Sequence, residues 1–376
     1  MLNAASRIFT EQRYACQSCG KGCRTPWKIK VEEPKVELFQ RSRGYRQAQR
    51  EGYVPLPILD DDRQVGRREN GSCVFLHDNL CEIHAEFGFQ AKPSVCQLFP
   101  FLYVNTPQGK FFSVSFSCPA ILESVGEPVL DHLPGVEETL SQSSTAYQEA
   151  MDEDTRIPIA AGVSVTWSEY LVLEKQLLER LSVENPVKDL LLAAITLLDC
   201  YSSSRPLDLT GEIQNRELLQ EALSLYPALT VHSIAQLEGL DEGEEGFRGL
   251  GLLEGDAALS SSLLGASLPA FEFRRPHDQR CSEALSRYFK NLVVGKQLVH
   301  AGTLVTRLFL LASAVGVHLY YLDFQRRISG KDENTFDELL WAFDLIEVRM
   351  VSHSEKFVPL FSDFERSLLA AAGGQP

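Results

Sequence analysis

The stretch YACQSCGKGCRTPWKI, residues 14–29, decides how the first part of this chain folds, because it carries three cysteines within eight positions. Cys16, Cys19 and Cys23 follow a Cys-x2-Cys-x3-Cys spacing, with two glycines between the second and the third. Glycine lets a loop turn tightly without steric cost from a Cβ atom. Four explanations need to be distinguished from the rest of the chain: a disulfide, a metal site, a redox pair and chance.

The cysteines of the chain are strongly clustered. Seven of the nine lie in the N-terminal region, and these are Cys16, Cys19, Cys23, Cys73, Cys81, Cys96 and Cys118. The other two, Cys200 and Cys281, stand alone in helical-looking apolar segments. Because buried free cysteines behave as small apolar residues, we expect those two to be core residues. Chance is a poor explanation for the cluster.

A metal site explains the cluster better than a disulfide framework. Disulfide frameworks suit small secreted domains, whereas this chain has 376 residues, no apparent secretory signal and an odd number of clustered cysteines. Soft thiolates that converge are what zinc or an iron–sulfur cluster requires, and each takes four ligands. The sequence therefore predicts a metal site whose ligand pool is the seven cysteines, and it leaves open which four bind and whether there are two sites.

Iron–sulfur is slightly favoured over zinc. The supply of thiolates is large, and the histidine signal is modest, since His77 and His84 are more typical of hairpin or packing residues than of ligands. The spacing also differs from the Cys-x3-Cys-x2-Cys of radical enzymes, so radical chemistry is not supported.

Composition limits the class of protein. A hydrophobic fraction of 44% is ordinary for a globular chain, and the net charge of −15 argues against nucleic-acid binding, which needs clustered Lys and Arg. The most apolar stretch, Leu308–Leu322, is too short for a membrane span and predicts a buried helix. We expect a cytoplasmic protein with neither a nucleic-acid nor a membrane partner.

The pattern of the chain predicts a mostly α fold in two regions. Residues 1–125 form a cysteine-rich region of loops and short β-hairpins around the metal site, with hairpins at 71–84 and 101–118 and short helices between them. Residues 126–376 form a helical region, with an acidic, Gly-rich loop near 239–267. Its helices are predicted near 164–181, 187–201, 215–229, 281–300, 303–327 and 335–351.

The cysteine region resembles the zinc- or iron-chelating cysteine-cluster family, whose signature is CxxCxxCC. The residues that match it in order are Cys16, Cys19, Cys23, Cys73, Phe75, Leu76, Cys81, Ile83, His84, Gly88, Lys92, Pro93, Cys96, Phe99, Pro100, Cys118 and Pro119. This chain departs from the signature at Gly22, which stands where the family has its third cysteine. Enough ligands for one site remain.

The C-terminal part of the helical region, from SRYFKNLVVGKQL (residues 286–298) to FDLIEVRMVSHSEKF (residues 343–357), resembles flagellin lysine N-methylases of the same family. That resemblance implies methyl transfer from S-adenosylmethionine to a lysine of a protein substrate, beside an iron–sulfur cluster that is expected to be 4Fe–4S. It assigns no catalytic and no S-adenosylmethionine-binding residue, since the chain has no familiar glycine-rich methyltransferase loop. The alternative is a non-enzymatic metal-binding or redox-sensing module with a helical scaffold that docks a partner.

Overall fold

The cysteine region folds as short antiparallel strand pairs separated by short helices in the computed structural model. The structure describes residues 4–25, 27–142, 151–152, 154–240, 259–268 and 279–372. The elements of this part are β1 (Arg13–Tyr14), α1 (Lys21–Arg24), α2 (Glu33–Arg41), α3 (Arg43–Arg50), β2 (Ile58–Leu59), β3 (Asp62–Arg63), β4 (Leu76–His77), β5 (Leu80–Cys81), α4 (Glu82–Phe87), α5 (Ser94–Leu98), β6 (Phe101–Thr106), β7 (Gly109–Val114), α6 (Pro119–Glu123), β8 (Glu127–Pro128) and α7 (Val129–Gln142).

Both predicted hairpins are present. β4 pairs with β5 across a turn at Asp78 and Asn79, whose φ angles of 47° and 64° are those of the mirror-image turn that joins two-residue hairpins. β6 pairs with β7 in full register from Phe101–Val114 to Thr106–Gly109. The predicted short helices are α4 and α5, and α5 starts directly after Pro93.

Helices α2 and α3 are structure that the sequence pattern did not indicate. Ser42 separates them: its hydroxyl donates to the carbonyl of Phe39 at 2.6 Å and accepts the amide of Tyr45 at 3.0 Å, which caps the start of α3. The two helices pack on a hydrophobic core made of Ile29, Val31, Val36, Phe39, Ala48, Leu56, Val65, Val74, Phe75, Ile83 and Ala91. The half-buried Cys73, Cys81 and Cys96 pack against the same core.

The chain divides into two compact units, Met1–Ala150 and Met151–Pro376. The boundary expected at residue 125 concerns the metal-binding region and stays a prediction. Elements of the second unit are β9 (Ile157–Ala160), β10 (Val163–Val165), α8 (Trp167–Arg180), α9 (Pro186–Ser202), α10 (Arg216–Glu238), β11 (Leu259–Ser261), β12 (Ala266–Leu268), α11 (Gln279–Val294), α12 (Leu304–Ser329), α13 (Phe336–Asp344), a π-helix (Leu345–Val351) and α14 (Val358–Ala371).

The mostly α fold class is confirmed, since 57% of the described residues are helical. Helix α12 runs through the centre of the second unit and contacts α9, α10 and α14. It is long and apolar enough to cross a membrane, but 94% of its most apolar window is buried inside the protein, as in the core helix of a soluble domain. The buried helix predicted at Leu308–Leu322 is therefore confirmed, as is the burial of Cys200 and Cys281.

The acidic, Gly-rich loop predicted near 239–267 is partly corrected. Residues 241–258 lie outside the described residues. Residues 259–268 form the strand pair β11–β12 rather than a loop. The carboxylate of Glu238, at the end of α10, holds this pair: it accepts the Ser261 hydroxyl at 2.6 Å, the Ser262 amide at 2.7 Å and the Tyr321 hydroxyl at 2.6 Å.

A buried ion pair joins α8 to the segment that follows α11. The ammonium group of Lys296 donates to the carboxylate of Glu174, and the two side chains are 3% and 8% exposed. Burial raises the pKa of Glu174 and lowers that of Lys296, and the attraction between the two opposes both shifts. Burial of either charge is strongly unfavourable unless the opposite charge is buried beside it.

Removal of one partner should therefore destabilise the second unit strongly. We expect Glu174→Leu to lower the free energy of unfolding by about 3–5 kcal/mol, because it leaves a buried, unpaired ammonium. The double variant Glu174→Leu with Lys296→Met should recover most of that loss, because no charge is left unpaired. Urea unfolding followed by circular dichroism measures both. Equal losses in the single and double variants would show that the pair is not the cause.

Candidate metal centre

Four of the predicted ligands form one group at the edge of the hydrophobic core. The buried thiol group consists of Cys23 on α1, Cys73 ahead of β4, Cys81 at the end of β5, and Cys96 on α5. The thiols of Cys23, Cys73 and Cys81 all act electrostatically on Cys96, and those of Cys23 and Cys81 act on Cys73. Four thiols from four separate parts of the chain are therefore near enough to influence one another electrostatically.

Backbone hydrogen bonds position this group. The amide of Cys73 donates to the carbonyl of Cys23 at 2.8 Å, and the Arg67 guanidinium donates to the same carbonyl at 3.2 Å and to that of Trp27 at 2.5 Å. An antiparallel bridge joins Arg67 to Cys73. The loop that carries Cys23 is thus held against the segment that leads into the first hairpin. The turn at Asp78 and Asn79 then returns the chain so that Cys81 reaches the same place.

The surroundings of the buried thiol group favour a cation. Burial, with smaller contributions from the neighbouring Cys23 and Cys81, raises the pKa of Cys73 to about 12, although the amide of Phe75 donates to its sulfur at 3.4 Å. Burial and the same neighbours also raise the pKa of Cys96 far above its ordinary value. Thiolates this close repel each other without a metal, and a bound cation removes that repulsion.

Three cationic side chains lower the pKa values of thiols in the same group. Lys92, Arg67 and Arg24 each lower the pKa of Cys23, which burial and Cys81 raise. Lys92 also lowers the pKa of Cys96. Four thiolates carry more negative charge than a divalent ion neutralises, so these side chains supply part of the balance.

The remaining three predicted ligands form a second group, the surface thiol group. Cys16 and Cys19 are exposed on the loop between β1 and α1, and Cys118 is buried at the residue before α6. Burial, with smaller contributions from Cys19 and Cys16, raises the pKa of Cys118 to about 11, although the amides of Ile121 and Ala120 lower it. Cys118 is thus the buried member of a group whose other two members face solvent.

The pairing of β1 with β8 brings this second group together. Arg13 and Tyr14 pair with Pro128 and Glu127, and the Arg13 guanidinium donates to the carbonyl of Gly126 at 2.7 Å. These contacts place the loop that carries Cys16 and Cys19 beside α6. The Tyr14 side chain lies among the same thiols: burial raises its pKa far above the ordinary value, and Cys16 and Cys118 add to the increase.

The two histidines of the region are not part of either group. His77 and His84 are exposed; His77 Nδ1 lies 3.2 Å from a carboxylate oxygen of Asp78, and the His84 ring packs edge-on against Phe89. Both belong to the hairpin and helix surfaces that the sequence analysis favoured for them. The described residues contain no set of three Cys, His, Asp or Glu side chains already arranged to hold a metal ion.

Gly126 gives a test of the β1–β8 contact. A Cβ at Gly126, where φ is 101°, would lie 2.6 Å from the backbone nitrogen of Ala15 and 2.6 Å from the carbonyl carbon of Tyr14. Gly109 has a similar φ of 112°, and a Cβ there meets nothing within 4 Å. Alanine at either position carries backbone strain of about 1–3 kcal/mol, and only Gly126→Ala adds a clash that displaces the β1 strand.

We expect Gly126→Ala to lower the midpoint of urea unfolding clearly more than Gly109→Ala. It should also expose Cys118 to a thiol-alkylating reagent, because the loop that covers α6 moves away. Alkylation of Cys118 at the same rate in both variants would contradict this assignment of the contact.

Comparison with known proteins supports the metal assignment of this region. Residues 15–119 match a family model named CxxCxxCC, described as a "Putative zinc- or iron-chelating domain". No curated protein and no solved structure resembles the chain closely enough to count as a match. The matched segment begins next to the first clustered cysteine and ends just after the last. The resemblance of residues 15–119 to the CxxCxxCC family, which the order of their cysteines predicts, is therefore confirmed.

Proposed function

We propose that the cysteine region binds an iron–sulfur cluster through the buried thiol group, Cys23, Cys73, Cys81 and Cys96. The observation that carries this proposal is the convergence of four thiols on one edge of the hydrophobic core. Four is the number of cysteine ligands that a 4Fe–4S cluster usually takes. The exposed positions of His77 and His84 support an all-sulfur ligand set.

One feature favours a cluster over a single zinc ion. The amide of Phe75 donates to Cys73 Sγ, and hydrogen bonds to ligand sulfurs tune iron–sulfur clusters.

The function that follows is that of a metal-binding module. Enzymatic methyl transfer with S-adenosylmethionine, and docking of a protein partner, stay predictions of the sequence analysis, because no described residue is assigned to either. The cluster itself would supply one-electron chemistry when bound, and the residues of this chain would hold it and balance its charge through Arg24, Arg67 and Lys92.

Substitution of one ligand tests the proposal. Protein purified without oxygen should be brown and contain iron with acid-labile sulfide. Cys96→Ser should lose most of the visible absorption and of the iron, because a hydroxyl is a hard ligand and a poor substitute for a thiolate. The matched control is Cys200→Ser, which changes a buried cysteine of the second unit and should keep both the colour and the iron.

Two results would contradict the proposal in different ways. A colourless wild-type protein that holds zinc, and loses it in Cys96→Ser, would replace the cluster by a zinc ion at the same four residues. If the Cys96→Ser variant is folded and retains the full metal content, the buried thiol group is not the metal site.

A further inference from the structure

We propose that the second unit binds a small carboxylate anion at Arg307, near the start of α12. The arginine site consists of the Arg307 guanidinium, the Ser354 hydroxyl and the His300 imidazole. This inference goes beyond the proposed function, because it concerns the helical unit and uses none of the clustered cysteines.

Arg307 is a buried cation that is held in place by only part of its hydrogen-bonding capacity. It is 3% exposed. Its guanidinium donates to the Ser354 hydroxyl oxygen at 2.6 Å and to the Gln297 carbonyl at 3.2 Å. These bonds use two of the five N–H donors of the group. The Nε atom is buried and has no hydrogen-bond partner among the described residues.

The positive charge of Arg307 also lacks a partner, since no carboxylate of the described residues forms an ion pair with it. Two buried carboxylates contact the segment that leads into α12, and both bind other groups. Glu174 accepts from the Lys296 ammonium, and Glu365 accepts from the Thr303 hydroxyl. An unpaired buried cation is strongly unfavourable, so a bound anion would stabilise this region.

A third buried carboxylate, Glu347 on the π-helix, does not change this balance. It acts electrostatically on Tyr288, and it is not among the groups that act on Arg307. Burial raises the pKa of Tyr288 well above its ordinary value, so its hydroxyl is neutral at neutral pH. The guanidinium is therefore left as the unbalanced charge of the arginine site.

Ser354 and His300 add donors to the guanidinium. The Ser354 oxygen accepts from Arg307, which leaves the hydroxyl hydrogen able to donate to a ligand. The Nε2 atom of His300 is buried and has no partner among the described residues. Burial and, to a smaller extent, Arg307 lower the pKa of His300, so its imidazole is neutral at neutral pH and donates one hydrogen bond.

The charge of the arginine site matches a carboxylate. A guanidinium binds carboxylate and phosphate through parallel N–H donors. One guanidinium beside a neutral imidazole balances one negative charge, whereas a phosphate dianion would leave excess charge buried. Ala301 and Gly302, which directly follow His300, are exposed, so the site lies close to the surface of the unit.

Urea unfolding of the metal-loaded, full-length protein, followed by circular dichroism, tests the site. The measurement compares sodium acetate with sodium chloride at equal ionic strength and neutral pH. The midpoint of the wild type should rise with acetate, because acetate binds the native state and not the unfolded chain. The acetate-specific part of this rise should saturate as the site fills.

Three variants assign the effect to the arginine site. Arg307→Met should show no saturable rise, and Ser354→Ala should bind acetate about fivefold more weakly, because one hydrogen bond is lost. The matched control is Arg366→Met, which removes an exposed arginine paired with Asp363 and should respond as the wild type does. General salt effects of acetate act on every variant and do not saturate, so the comparison removes them.

Several results would overturn the inference. These are a wild-type midpoint that is the same in both salts, an equal saturable rise in Arg307→Met, and tighter binding of inorganic phosphate than of acetate. If Arg307→Met does not fold, equal acetate affinities in Ser354→Ala and Arg366→Met would overturn it as well. None of these results depends on which metal is bound, so Cys96→Ser still tests the proposed function separately.

Discussion

Burial of several thiols side by side is the constraint on which the first unit depends. Each thiolate of the buried thiol group would repel the others in a poorly hydrated environment, and burial together with the neighbouring thiols raises the pKa of Cys73 to about 12. Protonation of the thiols removes the repulsion, but neutral thiols are stabilised little by lying close to one another. A metal centre makes the arrangement favourable, because it binds the thiolates and neutralises part of their charge.

The rest of the first unit provides the positions that this constraint needs. The hydrophobic core built on α2 and α3 packs against Cys73, Cys81 and Cys96. The Arg67 guanidinium ties the Cys23 carbonyl to that of Trp27, so the glycine-containing loop stays beside the core. The β1–β8 pair gathers the surface thiol group in the same way. Hydrophobic packing and backbone hydrogen bonds thus place the thiols that we propose as metal ligands.

Local signals in the sequence predict much of this structure. The cysteine spacing predicts a metal site, the Asp78–Asn79 turn predicts the first hairpin, and the apolar periodicity predicts the long helices of the second unit. Helices α2 and α3 were missed because their polar, basic residues resemble a solvated surface. The strand pair β11–β12 was missed because it depends on Glu238, a carboxylate that the pattern does not connect to it.

The partition of the seven thiols lies beyond what spacing can predict. Cys23 is four residues from Cys19, yet the two belong to different groups, because the α1 helix turns the chain between them. Tertiary contacts bring Cys96 near Cys23 and Cys118 near Cys19. The β1–β8 pair is the contact that acts on Cys118. The spacing of the cysteines predicts the pool of ligands, and the fold determines which of these thiols lie near one another.

X-ray absorption at the metal edge of the native, oxygen-free protein tests the central claim most directly, namely that the buried centre is held by thiolates alone. The account predicts a first shell of sulfur at about 2.3 Å around the metal, with a second shell of iron if the centre is a cluster. Nitrogen or oxygen ligands at about 2.0–2.1 Å making up half of the first shell would contradict it, because histidine or carboxylate would then replace the thiols assigned here.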